Sequence, residues 1–301
     1  MKHTLAIDLG GTNTRFAIFT KDLTLQDEMS IATNPQWGAK IASEKWLDAI
    51  APWLTKYSID LVGIGSPGPL DTKRGMILET PNLKNWALFS FTDFFKTKLN
   101  LDCVLENDAN CAVFGEWTYL KIPNLIALTL GTGVGSGIIS EGKLILGAGG
   151  LASEAGHMSI DRNGPLCECG KRGCLEVFVG GASLVKRYNE RQSQPVIGIT
   201  PQEIFNRAGA GESLAQEFVK EWVWALAIGV GNLVNIFNPQ KIILTGGVSH
   251  AFNANADEFH KILLTEAFKE SLKWCDVAVS QLQDKAGIIG VAAWAQTRKA
   301  T

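Results

Sequence analysis

The sequence predicts an α/β protein built from two similar halves. Three observations carry that prediction. Short apolar runs alternate with longer segments of helical periodicity along the chain. A strand, glycine turn, strand pattern at residues 5–19 returns at residues 125–139. The composition can also fill a sizeable core: hydrophobic residues make up 46% and charged residues only 19%, below the usual ~25%. At 301 residues, about two domains are expected, and a disordered chain is excluded.

Charge and hydropathy narrow the function classes. Lys and Arg number 28 against 30 Asp and Glu, a net charge of −2. A chain that neutralises phosphate backbones would be clearly basic, so no nucleic-acid partner is expected. Asp8 puts a carboxylate inside the first apolar run, which is therefore no signal peptide. The most apolar later stretch, residues 222–237, is broken by Gly229, Gly231, Asn232 and Asn235 and is too short to span a bilayer. The expectation is a soluble, cytoplasmic protein with no membrane partner.

Residues 4–8, 14–20 and 25–33 form candidate strands around the turn Leu9-Gly10-Gly11-Thr12-Asn13. Ile41, Trp46, Leu47, Ile50 and Leu54 recur at helical spacing and predict an amphipathic helix over 37–57. Residues 61–65 form a buried strand that ends in Ser66-Pro67-Gly68-Pro69. A helix at 90–98, a strand at 102–106 and a helix at 108–120 follow. The opening pattern then repeats as a strand at 125–130, a glycine turn at 131–135 and a strand at 136–140.

The second half is mostly helical. Thr200-Pro201-Gln202-Glu203 has the form of a capping box with Pro at the first helical position. Helices are expected at 214–237, 257–270 and 286–297, with strands at 241–245 and 276–279. Trp46, Trp53, Trp222 and Trp224 are assigned to the core, and His3, His250 and His260 to surface or core roles. Cys103, Cys111 and Cys275 stand singly in apolar surroundings and are expected as buried thiols. The repeat places a domain boundary near Cys111. Residues 1–110, with a C-terminal helix at about 286–301, form a small α/β domain, and residues 111–285 a larger one.

The first glycine turn, Asp8 to Thr14, lies between two strands. Dinucleotide fingerprints and Walker A loops both need a helix directly after the glycines, so neither applies. A glycine hairpin still exposes successive backbone N–H groups to an anion. Asp8 at the strand end can hold Mg²⁺ through waters, and Thr12 adds a hydroxyl. An ordinary glycine-rich hairpin with a surface Asp is the plain alternative. Two such hairpins, with a third glycine pair after a strand at Gly246-Gly247, favour nucleotide binding.

Asn107-Asp108 stands at a strand-to-helix junction, where either residue would cap the helix. The functional alternative is a general base aimed at a hydroxyl. Both hold together if Asn107 caps while Asp108 points outward. Glu154-Ala155-Gly156-His157 is followed by Cys167, Cys169 and Cys174 within eight residues, and then by Glu176. Three thiolates and an imidazole make a closed tetrahedral set, the pattern of structural zinc. A closed shell has no place for a reactive water, so this zinc braces a loop. Cys-x-Cys spacing in a chain of cytosolic character argues against a redox pair. Glu154 and Glu176 flank the ligands, either as surface charge or as acceptors for a polyhydroxylated ligand.

Together these residues resemble the ROK family (repressors, open reading frames and sugar kinases), most closely its bacterial glucokinases. The resemblance runs from Asp8 to the final helix. Its most specific parts are the Glu154, His157, Cys167, Cys169, Cys174, Glu176 set and Leu105-Glu106-Asn107-Asp108-Ala109-Asn110. Residues 129–137 look like the family's second phosphate loop, with Ser136 where many relatives have a further Gly. The resemblance implies the actin-like ATPase (ribonuclease H-like) fold, with two α/β domains around a cleft that closes on sugar. It also implies a homodimer as the expected assembly, and ATP, Mg²⁺ and structural Zn²⁺ as cofactors.

By resemblance, Asp108 is the catalytic base for the 6-hydroxyl of a hexose, glucose in this branch. Asn82, Asn107, Asp108, Glu154, His157 and Glu176 bind the sugar. Asp8, Gly10, Gly11, Thr12, Asn13, Gly131, Thr132 and Gly133 serve the phosphates, and Gly246 and Gly247 the adenosine side. His157, Cys167, Cys169 and Cys174 hold the metal. Ser66-Pro67-Gly68-Pro69 with Pro81-Asn82-Leu83-Lys84-Asn85-Trp86 is more similar to the glucokinase branch than to fructokinases or amino-sugar kinases. A kinase for fructose, N-acetylglucosamine or N-acetylmannosamine is the near alternative. A sugar-responsive transcriptional regulator is a more distant one, since it needs a DNA-binding segment ahead of a first strand that starts within a few residues of Met1.

Overall fold

The computed structural model of the chain describes residues 2–78 and 83–299. Its strands are β1 (Lys2–Leu9), β2 (Asn13–Phe19), β3 (Leu25–Ala32), β4 (Ser58–Ser66), β5 (Leu70–Asp71), β6 (Met76–Ile77), β7 (Asp102–Asn107), β8 (Leu125–Leu130), β9 (Val134–Ser140), β10 (Lys143–Leu144), β11 (Lys241–Thr245) and β12 (Asp276–Val279). The helices are α1 (Gly38–Lys56), α2 (Phe91–Leu99), α3 (Asp108–Leu120), α4 (Leu175–Val179), α5 (Gly181–Glu190), α6 (Pro201–Gly209), α7 (Ser213–Phe237), α8 (Phe252–Glu266), α9 (Lys269–Leu272) and α10 (Ala286–Lys299). The chain splits into two compact units. One comprises Met1–Lys121, Leu146–Ala152 and Lys285–Thr301, the other Ile122–Ile145 and Ser153–Asp284. The boundary expected at 110/111 lies inside α3, all of which belongs to the first unit.

Each unit carries a five-stranded sheet, and the two sheets have the same topology. In the first the order is β3-β2-β1-β4-β7, in the second β10-β9-β8-β11-β12. Both begin with antiparallel hairpins and continue with parallel strands. The repeat seen in the sequence is therefore the entry into each sheet. The parallel strands deliver their C-terminal ends side by side, the usual place for a ligand site in such sheets.

Side-chain alternation along β1 decides what each face of the first sheet carries. Leu5, Ile7 and Leu9 face one side and are buried with Trp46 and Ile50 of α1 and with Phe91 and Phe95 of α2. Ala6, with Ala17 of β2, faces the other side against Cys111 of α3 and Ile288 and Val291 of α10. Asp8 follows Ala6 by two residues and so turns toward α10. The α10 side is built of small residues. A Cβ on Gly290 would lie 1.7 Å from the Cys111 carbonyl oxygen, and one on Gly115 would lie 2.0 Å from that of Ala286. The backbones of α3 and α10 are thus in direct contact, and both helices start beside the C-terminal edge of the sheet.

In the second unit, Ile126, Leu128 and Leu130 of β8 and Ile242 and Leu244 of β11 are buried with Trp222, Leu226 and Val230 of α7 and Phe259 of α8. No helix among the described residues is long and apolar enough to cross a membrane.

Several local expectations need correction. Thr200 caps α6 by accepting from the Glu203 N–H at 3.2 Å, but the Glu203 carboxylate turns to Arg207 Nε instead of completing the box. The helix expected at 257–270 is two helices, α8 and α9, because residues 267–268 are extended between them. Helices α4 and α5 were not foreseen, since the cysteine-rich text before them masks a short apolar run. Cys275 is half-exposed where burial was expected.

Replacing Gly290 by Ala forces the α3 and α10 backbones apart. The expected cost is about 1–3 kcal/mol, read as a lowered midpoint in thermal or denaturant unfolding. An unchanged midpoint would show that these helices yield without loss.

Candidate active site and metal centre

In the first unit, three parallel strands bring the candidate residues to one edge. Their register pairs Asp8 with Gly65, Gly65 with Glu106, and Ser66 with Asn107. Asn107 is the N-cap of α3: its Oδ1 accepts from the N–H groups of Ala109 at 3.0 Å and Asn110 at 3.2 Å. Asp108, half-buried at the first helical position, accepts from the Ala109 N–H at 2.8 Å through Oδ1. The cap is therefore supplied by Asn107. The first turn beside Asp8 is closed by a Gly10 N–H donating to the Asn13 carbonyl at 3.0 Å, and Gly11, Thr12 and Asn13 are exposed. Asn82 lies outside the described residues.

Glu106 was not given a role of its own by the sequence. It is buried at 2% exposure and accepts from the Asn107 N–H at 2.9 Å and from Asn110 Nδ2 at 3.0 Å. Its carboxylate therefore fixes the strand-to-helix junction on which Asp108 sits. The signal was present: an acidic residue closing the apolar run of β7. Burial raises the Glu106 pKa, and the two hydrogen bonds oppose that rise. Burial also pushes the Cys111 thiol well up, helped by the charges of Glu106, Asp8 and Asp108, so this thiol is inert.

In the second unit the glycine turn Gly131-Thr132-Gly133 is held from outside. The carbonyls of Gly131 and Thr132 accept from the N–H groups of Gly181 and Ala182 at the start of α5, both at 2.9 Å. Glu176 Oε2, in the first turn of α4, accepts from the Val134 N–H at 2.9 Å. A Cβ on Gly133 would lie 2.4 Å from that same oxygen, so a side chain there would push the Glu176 carboxylate off the turn. Gly246, with φ of +88°, ends β11 against the Leu130 carbonyl, which brings the third glycine pair beside the end of β8. The Gly246 contact thus sets two backbone turns side by side at the C-terminal edge of the second sheet.

The Cys/His group assembles next to this turn. One ligand atom each from His157, Cys167, Cys169 and Cys174 lies within 4.8 Å of the others. Cys169 Sγ and Cys174 Sγ are 3.6 Å apart, and Cys167 Sγ is 3.7 Å from His157 Nδ1. A tetrahedron with Zn–S bonds of ~2.3 Å has edges of about 3.8 Å, so these spacings fit zinc and are far too long for a disulfide. Burial pushes up the thiols of Cys167 and Cys174, whereas the Lys171 N–H pulls Cys169 down. A divalent cation offsets the charge of three thiolates held this close. Lys171 Nζ donates to the His157 carbonyl at 2.7 Å and ties the two arms of the loop. Glu176 Oε1 lies 4.0 Å from His157 Nδ1 and within 3.8 Å of Cys167 Sγ. One carboxylate thus touches both the glycine turn and the metal group. Glu154 is exposed, just ahead of the short 3₁₀ turn that carries His157.

A profile of the ROK family matches residues 4–298, and the chain belongs to that family. Its fold is the actin-like ATPase fold of ROK proteins. A glucokinase of Halalkalibacterium halodurans is 30% identical over 306 residues, covering 95% of this chain and 92% of that one. An N-acetylmannosamine kinase of Yersinia pestis is also 30% identical, over 295 residues, covering 97% and 98%. A solved ROK family glucokinase from Streptomyces griseus, in complex with glucose and AMPPNP, has a TM-score of 0.81 at 29% identity and covers 98% of this chain and 99% of that one.

The Asp8 carboxyl is pushed up to about 6, first by burial, then by the charge of Asp108, against the pull of Arg15. A carboxyl raised on folding supports stability below its unfolded value of about 4 and loses that support as pH rises through about 6. Asp8→Asn should therefore gain thermal stability relative to the wild type as pH goes from 4 to 7, with no further gain above. A difference that shrinks over that range would contradict the placement of Asp8.

Proposed function

We propose that the protein is an ATP-dependent hexose kinase that phosphorylates the 6-hydroxyl, with glucose as the hexose. The observation that supports it most is the Glu176 carboxylate, bonded to the N–H after the second glycine turn and seated against the Cys/His group. A turn suited to phosphate and an acceptor suited to a polyol thereby share one side chain.

Phosphoryl transfer through a loose transition state asks little of a base and much of positioning. Asp108 would orient the attacking hydroxyl and receive its proton late. Asn107 and Glu106 keep Asp108 in place through the cap and the junction. Asp8 would hold the Mg²⁺ of the nucleotide through waters, and Gly10, Gly11, Thr12, Asn13, Gly131, Thr132 and Gly133 would offer backbone and hydroxyl donors to the phosphates. Gly246 and Gly247 would line the adenosine side. Glu154, His157, Glu176, Asn107 and Asn82 would take the sugar hydroxyls. When bound by His157, Cys167, Cys169 and Cys174, zinc supplies a brace for the loop that carries Glu154 and Glu176.

The likeness to the glucokinases favours glucose. The N-acetylmannosamine kinase at equal identity keeps an amino sugar as the second reading. A sugar panel with ATP and Mg²⁺, read by ADP release, decides between them. Asp108→Asn in the same assay is expected to lower kcat by about 10²–10⁴-fold while hexose affinity stays within about twofold. Unchanged turnover would remove Asp108 from the mechanism.

Strong chelation is expected to release zinc, expose the thiols of Cys167, Cys169 and Cys174 to a thiol reagent, and raise the KM for hexose. Native protein without zinc by metal analysis would defeat the brace.

A further inference from the structure

Ser136 has no part in the reaction as described, yet its hydroxyl is fully engaged. It lies on β9 at 4% exposure, two residues past Val134. Its Oγ donates to the Ser153 carbonyl, accepts from the Ala155 N–H at 3.0 Å and meets Ser153 Oγ at 3.1 Å. These partners are the two residues on either side of Glu154. Gly156 follows so closely on β9 that a Cβ there would lie 2.0 Å from the Val134 carbonyl oxygen. Ser153 has φ of +71°, in the left-handed region that side chains other than glycine rarely adopt. A backbone held there needs support from its surroundings. The Ser136 hydroxyl gives that support to both sides of Glu154, and a glycine at 136 would give none.

We propose that Ser136 is a positioning residue for Glu154. Its hydroxyl registers residues 153 and 155 to the strand that follows the second glycine turn, so the Glu154 carboxylate is presented to the hexose in one orientation. The inference rests on the reading of Glu154 as a sugar-binding residue. Losing the hydroxyl leaves the carbonyl of half-buried Ser153 and the buried Ala155 N–H without their partner, and the loop relaxes away from its strained turn. The backbone pairing of β9 with β8 at Ser136 and Leu128 does not involve that hydroxyl, so the glycine turn keeps its shape.

The test is Ser136→Ala and Ser136→Gly beside the wild type, with KM for hexose and for ATP, kcat, and hydrogen exchange resolved by segment. The expected result is a hexose KM raised about five- to tenfold, the loss of one well-made hydrogen bond, with the ATP KM and kcat within about twofold. Exchange should rise over residues 153–157 and stay unchanged over β8. A hexose KM equal to the wild type, or hexose and ATP KM values that rise together, overturns the inference. A wild type that turns over no sugar defeats the reading of the site, and this inference with it. A wild type that turns over hexose beside variants of unchanged hexose KM defeats the inference alone.

Discussion

Glu176 answers to two neighbours at once. One oxygen accepts from the N–H that follows the second glycine turn, and the other faces the imidazole and a thiol of the Cys/His group. A carboxylate makes this kind of bond at full strength because it is charged and accepts with both oxygens. It also explains why the turn carries glycine at 133, where a side chain would occupy the space of the carboxylate oxygen. Turn, carboxylate and metal-type cluster are therefore one construction in the second unit. Helix α5 holds the same turn, the N–H groups of Gly181 and Ala182 donating to the Gly131 and Thr132 carbonyls.

The first unit reaches a comparable result by a different route. Alternation along β1 sends Asp8 to the face covered by α10, and the small residues on that face let α10 and α3 approach until backbone meets backbone. Close approach gathers Asp8, Glu106 and Asp108 near a buried thiol. Burial and like charge both act against ionisation of Asp8, which is the electrostatic cost of the arrangement. Glu106 lessens its own share by accepting two hydrogen bonds, and those same bonds hold the start of α3. The site is thus assembled by packing between glycines and stabilised by hydrogen bonds to acids.

Much of this was legible in the chain. The strand boundaries of β8, β11 and β12 and both ends of α3 follow the apolar runs and turns closely, because each is set by neighbours in sequence. A cap at Asn107-Asp108 and the gathering of His157, Cys167, Cys169 and Cys174 were also legible, since short polar side chains at a junction and thiols at tight spacing have few other uses; that Asn107 supplies the cap was settled by the fold. The split of α8 from α9 was not, because the break at residues 267–268 has no Gly or Pro to announce it. Ser136 showed itself only as a departure from a pattern of glycines. Its three partners lie 17 and 19 residues onward, beyond the reach of any local signal.

By itself, then, the amino-acid order determined most of the strands and the longer helices, that the hairpin occurs twice, and that three thiols and an imidazole stand at spacings that let them gather. Those properties depend on periodicity and on near neighbours along the chain. Tertiary structure alone decided that Glu106 supports the junction beneath Asp108, that Glu176 bonds the glycine turn, and that Ser136 grips both sides of Glu154. Such pairings depend on the register of strands and on how near two backbones can come, and both are settled only when the layers pack.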